Sequence, residues 1–254
     1  MTRFFRNIRQ NLLSEGRTFK YIKYAFGEII IVIIGILIAI QLNTWKSETN
    51  EKAQILKSME GLQSDLNQDE KRFDYLYTFY KNITDTIQFL IKYSDQHKKL
   101  PNDKLGEMFN QILDYRKFQF KKSNYLSLIN DGSLNKIRDE KLINEIIDYY
   151  ESPYLIWSTE IYGNVIGSID FNKSDIYDSR DGLILLNRNS SIPGWKLTNI
   201  QYHTDYEKLI RSKWAINIFS SCLQQANDIF SNIITYKKFN KQLRKSIENY
   251  KNKY

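Results

Sequence analysis

Gly27-Glu28-Ile29-Ile30-Ile31-Val32-Ile33-Ile34-Gly35-Ile36-Leu37-Ile38-Ala39-Ile40-Gln41-Leu42 is the stretch on which the reading of this chain turns. From Tyr24 to Leu42, at helical rise, it covers about 28 Å, close to the thickness of a bilayer hydrocarbon core. Glu28 is its one charged residue. Upstream stand Arg3, Arg6, Arg9, Arg17, Lys20 and Lys23 against a single acid, Glu15; just downstream Lys46, Glu48, Glu51 and Lys52 cancel. This asymmetry predicts a transmembrane helix over 24–45, with residues 1–23 cytoplasmic and residues 46–254 on the far side. Tyr21, Tyr24 and Trp45 fall where interfacial aromatics are expected. A core helix of a soluble domain is the alternative, but it rarely carries so lopsided a charge flank. No small-x-small cleavage site follows the run, so it reads as an uncleaved signal anchor.

Phe4, Phe5, Ile8, Leu12 and Leu13 recur at helical spacing with Arg3, Arg6 and Arg9 among them. That pattern is a short basic amphipathic helix suited to anionic lipid on the cytoplasmic side. The formal net charge of +8 is uneven: residues 1–23 hold +5, residues 236–254 hold +6, and the middle holds −3. A broad basic face for DNA or RNA is therefore not expected, and both basic ends have membrane-related explanations. Lys237, Lys238, Lys241, Arg244 and Lys245 form the C-terminal cluster, a second candidate for contact with the membrane surface. The alternative is a solvated helix end whose cations complement the helix dipole.

The single cysteine, Cys222, excludes an intrachain disulfide, so packing alone must stabilise the body. Prolines stand only at 101, 153 and 193, which permits long helices. Between Lys46 and Lys98, Ile55, Met59, Leu62, Leu66, Phe73, Leu76, Tyr80, Ile83, Ile87 and Leu90 fall on alternating three- and four-residue steps, interrupted by Asp69. This is a heptad seam, and Leu56, Phe79 and Ile91 widen it into the stripe of a bundle helix. Asp103 is placed to cap a short helix through Leu113, and Lys117–Lys122 alternates as an extended segment. A helix-turn-helix follows, Ser123–Ile129 and Asp139–Tyr150 about an Asn130–Ser133 turn, and Ser152-Pro153 opens a helix to Phe171. Residues 172–203 read as a long loop with an apolar island at Leu183–Leu186. Thr204-Asp205 starts one final helix to about Lys251, with a seam at Ile216, Phe219, Leu223, Ala226, Phe230 and Ile233. The expected fold is therefore all-α: one transmembrane helix, then a helical bundle whose long first and last helices pair antiparallel.

On a 100° wheel Glu28, Val32, Gly35, Ala39 and Leu42 share one face of the span. Gly35 and Ala39 form a small-xxx-small pair that allows close backbone approach, and Glu28 beside them favours a partner over lipid. The expected contact is with a second copy of the chain or another membrane protein; the alternative is that Glu28 snorkels to the headgroups. Little else carries chemistry. His97 and His203 are far apart, and the nucleophile-elbow, phosphate-loop and dinucleotide motifs are absent. Asp175, Asp178 and Asp181 read as a solvated acidic turn, since three-residue spacing is not that of a calcium loop. Trp157, Trp195 and Trp214 read as core. No catalytic residue, metal or cofactor is expected.

Phe4-Phe5-Arg6-Asn7-Ile8-Arg9, Tyr24-Ala25-Phe26-Gly27-Glu28-Ile29-Ile30 through Ala39, and Gln41-Leu42-Asn43-Thr44-Trp45 resemble the domain-of-unknown-function family 6090 of Bacteroidota membrane proteins. The motifs lie in about the first 50 residues, and Phe26 departs from the aliphatic residue more usual before the glycine. The resemblance implies an inner-membrane protein with a periplasmic helical domain and no assigned activity. Span and resemblance together lead to the expectation of a membrane-anchored periplasmic interaction or scaffold protein. A ligand-sensing domain that signals through a partner is the alternative.

Overall fold

The computed structural model describes residues 18–97, 99–182 and 202–253, with side chains from Ile22 onward except Tyr24. Arg3, Arg6, Arg9, the N-terminal amphipathic segment, the Tyr21 and Tyr24 side chains, Trp195 and the Leu183–Leu186 island fall outside what is described. Every regular element among the described residues is helical. They divide between Lys57 and Ser58 into two compact units.

Helix α1 runs without a break from Thr18 to Ser94. Its apolar span and its heptad seam thus belong to one helix, because neither Pro nor a paired glycine interrupts them. In the first unit every residue from Ile29 to Asn50 is exposed. In the second, Met59, Leu62, Leu66, Phe73, Leu76, Tyr80, Ile83, Ile87 and Leu90 are all buried, as their spacing predicts. Asp69, which interrupts that spacing by type, is buried in register with them.

The body is completed by α2 (Asn102–Ile112), α3 (Ser123–Asn130), α4 (Glu140–Glu151), α5 (Tyr154–Gly167), α6 (Tyr206–Ile210) and α7 (Lys213–Asn252). Short 3₁₀ turns lie at Ser133–Lys136, Phe171–Lys173 and Ser179–Asp181. The turn after α3 passes through Gly132 at φ 70°, a left-handed conformation that glycine reaches without a Cβ clash. Asp139 accepts from the Leu142 N–H and starts α4. Lys117–Lys122 is non-helical, with Phe118 and Phe120 buried and Lys117 and Gln119 exposed.

Three expectations need correction. The last helix is two: α6 ends at Ile210 and α7 begins at Lys213, because Ser212 turns to accept the Ala215 N–H and caps a new helix. The α7 seam is also displaced. Ala215, Phe219, Cys222, Ala226, Ile229 and Ile233 are buried, whereas Ile216, Leu223 and Phe230 are half-buried. The helix has neighbours on more than one side, so its buried stripe centres between two heptad lines. Lastly, Asp103 does not cap α2, which starts at Asn102. The Asn102 side chain instead donates to the Thr204 carbonyl at 2.9 Å and accepts from the Tyr206 N–H at 2.8 Å.

The backbone of α7 lies closest to α5 and α4. It meets α1 through side chains, in pairs that run in opposite chain order: Lys237 to Asp74, Arg244 to Glu70 and Lys251 to Glu60, and Arg211, just before α7, donates to the Ser94 carbonyl. Between these helices lies an aromatic core in which Phe73 stacks on Phe118 at 5.1 Å and Tyr125 on Tyr150 at 4.5 Å. The buried tyrosines supply area and a polar tip together. Tyr80, Tyr162 and Tyr236 each bury a ring and donate to a carbonyl, of Arg116, Ile112 and Ser152 respectively, each at 2.9 Å. Those acceptors lie outside helix interiors or at helix ends, where backbone groups lack intrahelical partners.

Candidate functional site

Four clusters carry polar or small residues that packing alone does not explain. The first is the span face. Val32, Gly35, Ala39 and Leu42 are exposed and Glu28 is half-buried. A Cβ added at Gly35 would meet nothing within 4 Å. The chain itself therefore does not need a glycine there; only an approaching neighbour would.

The second is the basic end of α7. Lys237 donates to Asp74 at 2.6 Å and Arg244 to Glu70, so two of the five predicted surface cations are engaged by α1. Lys238, Lys241 and Lys245 are exposed and form no ion pair among the described residues. Lys241, Arg244 and Lys245 line one groove together with Gln63, Asn67 and Glu248.

The third cluster is buried. Asp65 and Asp69, one turn apart on α1, are 1% and 0% exposed. Asp65 accepts the Asn124 N–H at 2.9 Å, supplying from another helix the cap that Lys122 does not give α3. Gly61 admits this approach, since a Cβ there would stand 2.4 Å from Asn124 Oδ1. Asp69 accepts the Lys121 N–H at 2.8 Å and the Tyr149 hydroxyl at 3.2 Å. Asn240 donates to Tyr149 Oη at 3.0 Å and to the Leu66 carbonyl at 2.9 Å, tying α7 into the network. Burial lifts the Asp69 carboxyl to about 6, against the pull of those donors and of Arg72. Burial likewise raises the Tyr149 and Tyr150 phenols, with the Asp69 charge adding to it. Closed to solvent, the network holds α1, the 117–124 segment, α4 and α7 together.

The fourth corrects the acidic turn. Asp181 is fully buried, not solvated. Its Oδ1 accepts the His203 N–H at 2.9 Å and its Oδ2 the Thr204 N–H at 3.0 Å, joining the two stretches that flank residues 183–201. Thr204 Oγ1 accepts the Asp178 N–H at 2.9 Å from the same side. Asp178 itself pairs with Arg180, whose cation holds its carboxyl far below the usual carboxylate range. Sequence reasoning missed Asp181 because spacing does not tell a carboxylate in water from one facing backbone N–H groups.

The tryptophans divide differently from expectation, whereas Cys222 is buried in the core. Trp157 is 53% exposed, beside exposed Tyr154, and so lies outside the core; Trp214 is half-buried against Phe109 and Phe171. Burial pushes the Cys222 thiol up to about 11, which keeps it protonated and unreactive. Among the described residues, no group of three or more His, Cys, Asp or Glu stands ready to hold a metal ion.

Among the described residues the protein is all-helical, with one helix, near the N-terminus, long and apolar enough to cross a membrane. The chain belongs to a family of unknown function, DUF6090, whose model matches residues 28–200. The match begins at Glu28, after the Phe4–Arg9 motif, and runs through α5, stopping before α6 and α7. No curated protein and no solved structure matches the chain.

Proposed function

We propose that this chain is a single-pass bacterial inner-membrane protein with its body in the periplasm, serving as a non-catalytic interaction or scaffold module. Its span associates with a second copy or another membrane protein through Glu28, Val32, Gly35, Ala39 and Leu42. One observation carries the reading: the continuous outward apolar surface of Ile29–Leu42, with small residues gathered on the face that also bears Glu28. Apolar surface of this extent requires lipid or protein to cover it, and the small-residue face favours a helix over lipid.

The test is disulfide-independent crosslinking in native membranes. Glu28→Gln and Gly35→Ile should each reduce the crosslinked species several-fold while the protein stays in the membrane fraction. Because a side chain at Gly35 meets nothing within its own chain, loss of crosslinking there reports on the neighbour and not on folding. Unchanged crosslinking in both variants would sink the proposal.

A further inference from the structure

Along its contact with α7, α1 presents a series of acids, each answered by one cation: Glu60 to Lys251, Glu70 to Arg244 and Asp74 to Lys237. At one place the series lapses. Between Glu60 and Glu70 the lining side chains of α1 are the neutral amides Gln63 and Asn67, yet α7 still presents Lys241 and Lys245. These lysines stand four residues apart, a spacing at which like charges repel along a helix. They pair with no acid among the described residues. The result is a groove of about 410 Å³, lined by Gln63, Asn67, Lys241, Arg244, Lys245 and Glu248.

The groove's donors match an anion rich in acceptor oxygens. Ammonium groups donate and never accept. Arg244 is held against Glu70, so its guanidinium is positioned before any ligand arrives. Lys251 donates to Gln63 Oε1 at 3.2 Å, which occupies the amide's acceptor end and leaves its NH₂ as the end to offer. With Arg244 already answered by Glu70, the two lysines face one carboxylate, Glu248, within the lining. We infer that the α1–α7 groove is a binding site for a phosphate-bearing anion, held by Lys241, Lys245 and Arg244 with the Gln63 and Asn67 amides. This inference does not rest on the contact proposed for the span. The phosphate can come from free phosphate or from an anionic lipid headgroup, and the chemistry is the same.

The experiment uses the full-length chain in detergent, with inorganic phosphate titrated against chloride at constant ionic strength and thermal unfolding as the readout. Wild type should show a saturable rise in melting temperature with phosphate and none with chloride. The double variant Lys241→Gln/Lys245→Gln, altered at two exposed positions, should keep its melting temperature in chloride and bind phosphate about tenfold more weakly or worse. Glu248→Gln should bind more tightly. A control of equal charge change elsewhere, Lys92→Gln/Lys104→Gln, should behave as wild type. A second arm places wild type and double variant in nanodiscs of phosphatidylcholine with phosphatidylglycerol and reads the lipid retained by native mass spectrometry. Phosphatidylglycerol enriched on wild type and lost from the double variant identifies a lipid headgroup. A phosphate response without that enrichment identifies free phosphate. The inference is overturned if the double variant matches wild type in both arms, or if chloride reproduces the phosphate effect and no lipid is enriched.

Discussion

At the scale of single residues, Asp69 is the position whose chemistry departs furthest from its sequence context. A carboxyl in a seam of Leu, Phe and Tyr looks like a fault, yet two donors from separate segments converge on it. Its proton is held more tightly in the folded chain, at about 6 against an ordinary 3.8. The folded state therefore gains stability where this proton is bound. The contribution is complete below about pH 4 and is lost as pH rises through about 6. Relative to Asp69→Asn, wild type should lose about 2–3 kcal/mol of unfolding free energy between pH 4 and pH 7. Denaturant unfolding of both proteins in detergent across that range measures the difference, and parallel pH profiles would assign the titration to another group.

At the scale of elements, boundaries follow capping more than periodicity. An amphipathic pattern runs from Thr204 to Lys251, but Ser212 accepts the Ala215 N–H at 3.2 Å and restarts the helix. Residues 211 and 212 then turn, and Arg211 donates to the Ser94 carbonyl at the end of α1 and lies over Tyr93. Ser212→Ala should cost about 1 kcal/mol, lowering the melting temperature by about 2–4 °C for a chain of this size. A calorimetric scan of the two proteins reads this directly. An unchanged midpoint would mean that the break is held by the Arg211 contacts instead. By contrast Thr49, between the span and the seam of α1, turns its hydroxyl back to the Trp45 carbonyl at 2.8 Å, and the helix continues through both.

At the scale of the whole molecule, the chain joins two units with opposite surface character. The first exposes Ile, Leu and Val, whereas the second turns its apolar side chains inward around stacked aromatics. Cys222 is buried, so thiol labelling of the native chain should be close to background, and one added cysteine reports on location. Lys141, 84% exposed, is a suitable position. In intact cells Lys141→Cys should be labelled by a membrane-impermeant maleimide if the body is periplasmic. Labelling only after lysis would reverse the proposed orientation.

By itself the sequence determined the apolar stretch, its charge flanks, the α1 seam and most turns, because these depend on local spacing and on residue type. Gly132, Asp139 and the alternation of Phe118 and Phe120 were legible for the same reason. Tertiary structure alone decided which heptad line of α7 faces inward, since that depends on how many helices surround it. It also decided that Asp65, Asp69 and Asp181 are buried and bonded, since their donors lie tens of residues away. The candidate groove divides along the same line. Its cations were visible as a cluster on α7, but the neutral wall of Gln63 and Asn67 facing Lys241 and Lys245 exists only once α1 lies alongside.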